Sequence, residues 1–418
     1  MRTRPAVVLA AGLLLVAGCS TGGQPSAAPE LPAPSKELVA WADTVCTSVK
    51  LVDGLRSHAD SGYYASAVTT DVVAALETLD VLRPSGIKQA DSYVGGLVKA
   101  LERLRDQLPT GEEGQQVDAA RITALVDEVG KQKPALSRLA GRTRALGPSY
   151  HLAPRCAPLK RPPESATRAT RALVTWADTM CEGVSSIETL PAAGDELLKH
   201  PRFAQFEDME LSSYLTSVHS QVASIVDPLA GLEETRVAEV DAYRDELVGA
   251  LRDAASRLPR QTSALDLHDV PLGQLRERAS QAAATVSALE PKARELPDLA
   301  RRHPALADAY HLAPHCDDEP STPATTITLP KAENGTDFAA CQGGTCQIEV
   351  SGPKDVTVRG NVFTIAVSDG TVWLASGSGL IRLTGPGTAQ FGAAGATVVF
   401  EVVASTDTAA VLDVSTTD

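Results

Sequence analysis

The chain carries one arrangement of residues twice. Trp41-Ala42-Asp43-Thr44-Val45-Cys46 returns as Trp176-Ala177-Asp178-Thr179-Met180-Cys181, and Tyr150-His151-Leu152-Ala153-Pro154-Arg155-Cys156 returns as Tyr310-His311-Leu312-Ala313-Pro314-His315-Cys316. Between these, Asp91-Ser92-Tyr93 and Leu108-Pro109 correspond to Asp241-Ala242-Tyr243 and Leu258-Pro259. The spacing between partners grows from 135 to 150 to 160 residues, so the second copy holds two insertions, which belong in loops. The order of matches is preserved, which marks a single unit in duplicate. Whatever fold the chain adopts must therefore be built twice.

The first element of each copy is a helix. Leu38, Trp41, Ala42, Val45, Cys46, Val49 and Val52 recur at helical spacing, and Leu173, Trp176, Ala177, Met180, Cys181, Val184 and Ile187 repeat the pattern. Both Trp residues therefore point to a core. Three further periodic runs follow in the first copy, about Ala65 to Leu82, Gln89 to Leu108 and Val117 to Leu146, which predicts an antiparallel four-helix bundle per repeat. Aromatic residues are 4% of the chain and Ala and Leu dominate its apolar share, a composition suited to helices packed through small side chains. A Cys on the inner face of the first helix and another beyond the fourth predict bridges Cys46 to Cys156 and Cys181 to Cys316, each tying the ends of its own repeat.

After Asp317 the pattern changes to a Pro and Thr linker and then to short β-rich runs between glycines. Cys346 to Ser351, Asn361 to Val367, Thr371 to Ala375, Leu380 to Leu383, Ala396 to Val403 and Ala409 to Val414 predict a small antiparallel sandwich or roll. Cys341-Gln-Gly-Gly-Thr-Cys346 is a tight loop that favours a local bridge. Cys341 to Val350 resembles a Cys-loop β module found at the ends of actinobacterial surface and membrane proteins.

At the other end, Arg2 and Arg4 precede an apolar run from Ala6 to Ala17 that is too short to span a bilayer. Leu15-Val16-Ala17-Gly18-Cys19 resembles the lipobox of bacterial lipoproteins, which implies that Cys19 receives a diacylglyceryl group and becomes the amino terminus. Ser20 to Ser35, rich in Ser, Gly, Pro and Ala, reads as a tether. With Cys19 assigned to lipid, six of the seven cysteines remain, an even number suited to an oxidising compartment. The expected organisation is a signal peptide over 1–18, a tether over 19–35, repeats over 36–156 and 170–316 joined by 157–169, a linker over 317–336 and a β module over 337–418. The expected location is the outer face of the cytoplasmic membrane, with the lipid anchor as the membrane contact.

Chemistry is sparse by comparison. Nucleophile-elbow, phosphate-loop, dinucleotide and zinc-protease motifs are absent from the sequence. Ser85-Gly86-Ile87-Lys88 has the Ser-x-x-Lys spacing of penicillin-binding enzymes but lacks their companion motifs, so no catalytic residue is assigned. His303, His311 and His315, followed by Asp317 and Asp318, are the candidates for a zinc or copper site, although only His311 has a counterpart in the first copy, His151. The net charge is -14, with the balance acidic in the second repeat and the β module, which excludes a nucleic-acid partner. The sequence thus predicts a non-catalytic envelope lipoprotein without cofactor, acting as spacer and interaction surface toward an envelope protein or cell-wall partner. A ligand or metal sensor with its site between the repeats is the alternative, and an envelope hydrolase a third.

Overall fold

A computed structural model describes residues 33–55, 64–108, 119–130, 133–161, 164, 167–190, 203–260, 267, 269–316, 329–368, 370–377, 379–385, 387–393 and 396–417. Cys19, the signal segment and most of the tether lie outside these residues, as do Asp317 and Asp318. The described chain is mostly helical and ends in two antiparallel sheets. Among the described residues, no helix is long and apolar enough to cross a membrane.

The first repeat contains α1 (Lys36–Leu55), α2 (Tyr64–Asp80), α3 (Lys88–Arg105), α4 (Ala119–Gly130), α5 (Lys133–Arg142) and α6 (Leu146–Leu152). The second contains α7 (Arg171–Glu188), α8 (Glu207–Ala230), α9 (Ala238–Arg257), α10 (Leu272–Ser287), α11 (Glu290–Ala293), α12 (Leu296–Arg302) and α13 (Pro304–Leu312). The expected single fourth helix is not continuous in either copy. Pro134 sits in the first turn of α5, and Pro291, Pro297 and Pro304 sit in the first turns of α11, α12 and α13. Proline lacks the N–H that a helix interior needs but fits a first turn, so each one suits the start of a helix.

Trp41 and Trp176 are 4% and 1% exposed, and one continuous apolar cluster contains buried residues of both repeats. Cys46 is bonded to Cys156 and Cys181 to Cys316, with Cα atoms 5.1 Å apart in each pair, while Cys341 is bonded to Cys346. Helix starts are repeated too. The Asp91 carboxylate accepts from the main-chain N–H and hydroxyl of Ser85, each at 2.7 Å, and Asp241 accepts from the N–H and hydroxyl of Thr235 at 2.8 and 3.0 Å. Ser85 of the Ser-x-x-Lys fragment is thus a turn residue whose structural counterpart is Thr235, and its hydroxyl is committed to a neighbouring carboxylate. Gly86 follows it at φ 73°, and Arg236 takes the same left-handed turn at φ 65°.

Among the described residues, the β module has eight strands, two more than expected. β1 (Cys346–Ser351), β8 (Ala409–Thr417), β7 (Ala396–Ser405) and β6 (Gly387–Ala393) form one sheet in that order, and β2 (Lys354–Val358), β3 (Asn361–Ser368), β4 (Thr371–Ser376) and β5 (Gly379–Thr384) form the other. Inward residues of both, including Ile348, Phe363, Phe391 and Phe400, share one core in which the three Phe rings lie 5.0 to 6.1 Å apart. The strands missed in the sequence, β2 and β6, are both edges, where a charged start or glycines weaken the alternating pattern.

Phe203 and Phe206, just before α8, meet Ala366, Trp373, Ala375 and Leu380 of the second sheet in a separate small apolar cluster. The Phe203 ring stands edge-on to Trp373 at 6.2 Å, and Arg382 lies over the other ring system of this joint, 5.2 Å from the Trp373 centroid, while pairing with Glu210 at 2.9 Å. Leu190 and Tyr214 correspond to Leu55 and Tyr64, so Phe203, Phe206 and Glu210 lie in the segment of the second copy that carries the first insertion. The insertion is a docking element for the β module.

Candidate functional site

The residues that recur most closely between the copies meet at one place, where the repeats touch. Asp43 on α1 and Asp178 on α7 are 3% and 2% exposed, although each stands in an apolar helix face. Each accepts the main-chain N–H of the residue preceding the second Cys of its own repeat, Arg155 N–H on Asp43 at 2.6 Å and His315 N–H on Asp178 at 2.9 Å. Each also holds that residue's side chain, the Arg155 guanidinium at 2.9 Å and the His315 Nδ1 at 2.8 Å. Buried carboxylates persist only where such donors satisfy them.

Arg155 then crosses to the other repeat. Its guanidinium lies 3.5 Å from Asp178 and 2.9 Å from Glu182. The ends of the first helices make a matching exchange. Arg171, the first residue of α7, donates to the carbonyls of His151 and Ala153 at 2.7 and 2.8 Å and to those of Pro154 and Cys156. Lys36, the first residue of α1, donates to the carbonyl of Cys316. α6 packs on α7 and α13 on α1. Each copy thus offers the same patch to the other, the reciprocal geometry of an approximate two-fold relation.

Electrostatics follow from burial and pairing. Burial pushes the Asp43 carboxyl above its ordinary range, against the opposing pull of the Arg155 N–H and guanidinium. For Arg155, burial opposes the charge, but Asp43, Glu182 and Asp178 outweigh it and hold the guanidinium pKa above its usual value. The hydrogen bond to Asp178 raises the His315 imidazole, with burial opposing.

The three candidate histidines are not gathered around one centre; each has a different carboxylate neighbour. His303 Nε2 lies 2.9 Å from Glu239, which also pairs with Arg302. The Glu37 carboxyl is held below its ordinary range by its own main-chain N–H and the Ser35 hydroxyl, with His311 adding a smaller pull. His315 instead joins Asp178 and Glu182, whose ligand atoms all lie within 4.8 Å of one another, a spacing that could hold a metal ion. The Arg155 guanidinium already contacts both of these carboxylates, so the cation at this place is supplied by the protein. Sequence reasoning missed Asp43 and Asp178, although an acidic residue recurring inside an apolar stripe was the available signal.

No protein family, no curated protein and no solved structure matches this chain at a significant level.

Proposed function

We propose that the chain is a non-catalytic extracytoplasmic lipoprotein, held at the outer face of the cytoplasmic membrane by a lipid on Cys19, whose paired repeats form a spacer and interaction surface carrying the β module. The observation that supports this most is the reciprocal junction: the carboxylates that the duplication retains, Asp43 and Asp178, and the residues opposite them, Arg155 and His315, are consumed by contacts between and within the repeats. Chemistry on a substrate needs groups that are not already neutralised in this way. In this reading 36–156 and 170–316 are four-helix bundles whose fourth member is split at prolines, and the β module is displayed in a fixed orientation by Phe203, Phe206 and Glu210.

The partner in this proposal is an envelope protein or cell-wall component. Crosslinking on intact cells followed by affinity capture of the chain tests it. Recovery of a specific envelope partner is the expected result, and recovery of the chain alone overturns the proposal. The second reading, a sensor with its metal between the repeats, draws on Asp178, Glu182 and His315. Zinc titration decides it: saturable binding that His315→Ala abolishes favours the sensor, and absence of binding removes it.

A further inference from the structure

Beside the junction, the first repeat and Arg171 of α7 line a half-open pocket of about 490 Å³ that nothing so far explains. Ligand pockets fall in the range of about 300 to 1,000 Å³ and combine a mainly apolar lining with a few convergent polar groups. Here Val49, Leu136 and Tyr150 line the space together with the Cys46–Cys156 bridge. Val49, Leu136 and Tyr150 are 8%, 3% and 3% exposed, so the apolar floor of the pocket belongs to the packed core.

The charged lining is of one sign. Among the described residues, the charged side chains that contribute to it are Lys50, Arg155 and Arg171. Arg155 is matched by Asp43, Asp178 and Glu182. Arg171 is different, since main-chain carbonyls hold its guanidinium in place without cancelling its charge. Lys50 is exposed, where it can swing toward an occupant.

The duplication provides an internal comparison. Val184, Leu296 and Tyr310 stand in the second copy where Val49, Leu136 and Tyr150 stand in the first, so the apolar residues are kept. Lys50 has Ser185 as its counterpart. The cation next to the apolar wall belongs to the first copy alone.

We propose that this pocket is a binding site for a long-chain carboxylate, its alkyl chain over the apolar floor of Val49, Leu136 and Tyr150 and its head group at Lys50, in the field of the Arg171 charge. A neutral hydrocarbon would leave Lys50 without an opposite charge, an inorganic anion would leave the apolar floor uncovered, and an alkylammonium would be repelled. Only an amphipathic anion satisfies both parts of the lining. The site stands independently of the interaction role: a chain with no protein partner could still hold such a ligand.

Oleate, kept below its micellar concentration, is the probe, and the protein is the chain from Ser20 onward, which retains every described element. Isothermal titration is expected to show saturable one-to-one binding. Lys50→Glu, a change at an exposed position, should weaken it about ten-fold, the scale of a lost charge-assisted contact. Leu136→Trp should block the cavity and abolish binding, with helical circular dichroism verifying that the variant is folded; if it is not, Lys50→Glu carries the test. Hexadecyltrimethylammonium and inorganic phosphate should not bind. Absence of oleate binding, equal affinity in Lys50→Glu, or equal affinity for the cationic amphiphile each overturns the site.

Discussion

Replacing Arg155 by Ala should destabilise the helical half by an amount that depends on pH in a defined way. Asp43 is 3% exposed, and Arg155 is the cation that contacts it directly, with a side chain 28% exposed. Removing one partner of a buried ion pair costs about 3 to 5 kcal/mol because the other charge stays behind. A ceiling comes from the alternative open to Asp43, which is to take up a proton. From an ordinary carboxyl pKa of 3.8, protonation costs about 4 kcal/mol at pH 7 and about 1.5 kcal/mol at pH 5, at 1.36 kcal/mol per unit. The Arg155 main-chain N–H remains on the carboxylate in the variant and offsets part of the loss. The expected destabilisation is therefore about 3 kcal/mol at pH 7 and about 1 kcal/mol at pH 5. The sign follows from Asp43's raised folded pKa: the neutral form is tolerated, so the penalty is present when the carboxyl must be ionised and fades as pH falls. Urea unfolding of the oxidised protein, followed by helical circular dichroism at both pH values, measures it. In an Asp43→Asn background the same Arg155→Ala change should cost less than half as much. A loss below about 1 kcal/mol at pH 7, or one that does not shrink at pH 5, would refute the view that Arg155 serves as counter-charge to a buried carboxylate.

Three further outcomes follow from other parts of the molecule. His315 has a folded pKa raised above 6.5 by Asp178, so its contribution is full at acid pH and lost as pH rises through that raised value; His315→Gln should flatten the pH dependence of thermal stability in this window, and an unchanged profile would count against the pairing. Phe203→Ala removes a fully buried ring from the joint with Trp373, at a cost of about 3 kcal/mol or more. Small-angle scattering should then show an enlarged, two-body particle with the Cys341–Cys346 bridge intact, and an unaltered profile would mean that the insertion does not hold the module. Arg236→Gly relieves a left-handed backbone at φ 65° and should stabilise the second repeat by about 0.5 to 1 kcal/mol; any loss of stability would show that the Arg236 side chain matters more than its backbone.

The parts of the fold legible in the sequence are those where one periodicity dominates. The stripe from Leu38 to Val49 reads as a buried helix face because successive apolar residues return to the same side. The break in the fourth helix was legible in principle from Pro134, Pro291, Pro297 and Pro304, but an apolar pattern runs through these prolines and masks the interruptions. β2 and β6 were lost because an edge strand is paired on one side only and tolerates lysine and glycine. The junction was hardest to read. Asp43, Arg155, Asp178 and His315 are more than a hundred residues apart in part, and periodicity says nothing about which distant charges meet. The recurrence of Asp43 as Asp178 was the one signal in the sequence, while the role of this group as a seam between copies became visible only once both copies were in place.

The two long bridges give the chain an unusual path for mechanical load. Cys46 and Cys156 are 110 residues apart in sequence, and Cys181 and Cys316 are 135 apart, yet each pair closes near the point where the chain enters and leaves its repeat. A pull between a tether ahead of Lys36 and the linker after Cys316 would run down the first turns of α1, across one bridge, through the linker to α7 and across the other. The remaining helices hang from this line without carrying it. Under such a pull the contacts between the repeats, Lys36 to the Cys316 carbonyl among them, would part first, the bridges would then cap the extension, and a reductant would remove that cap.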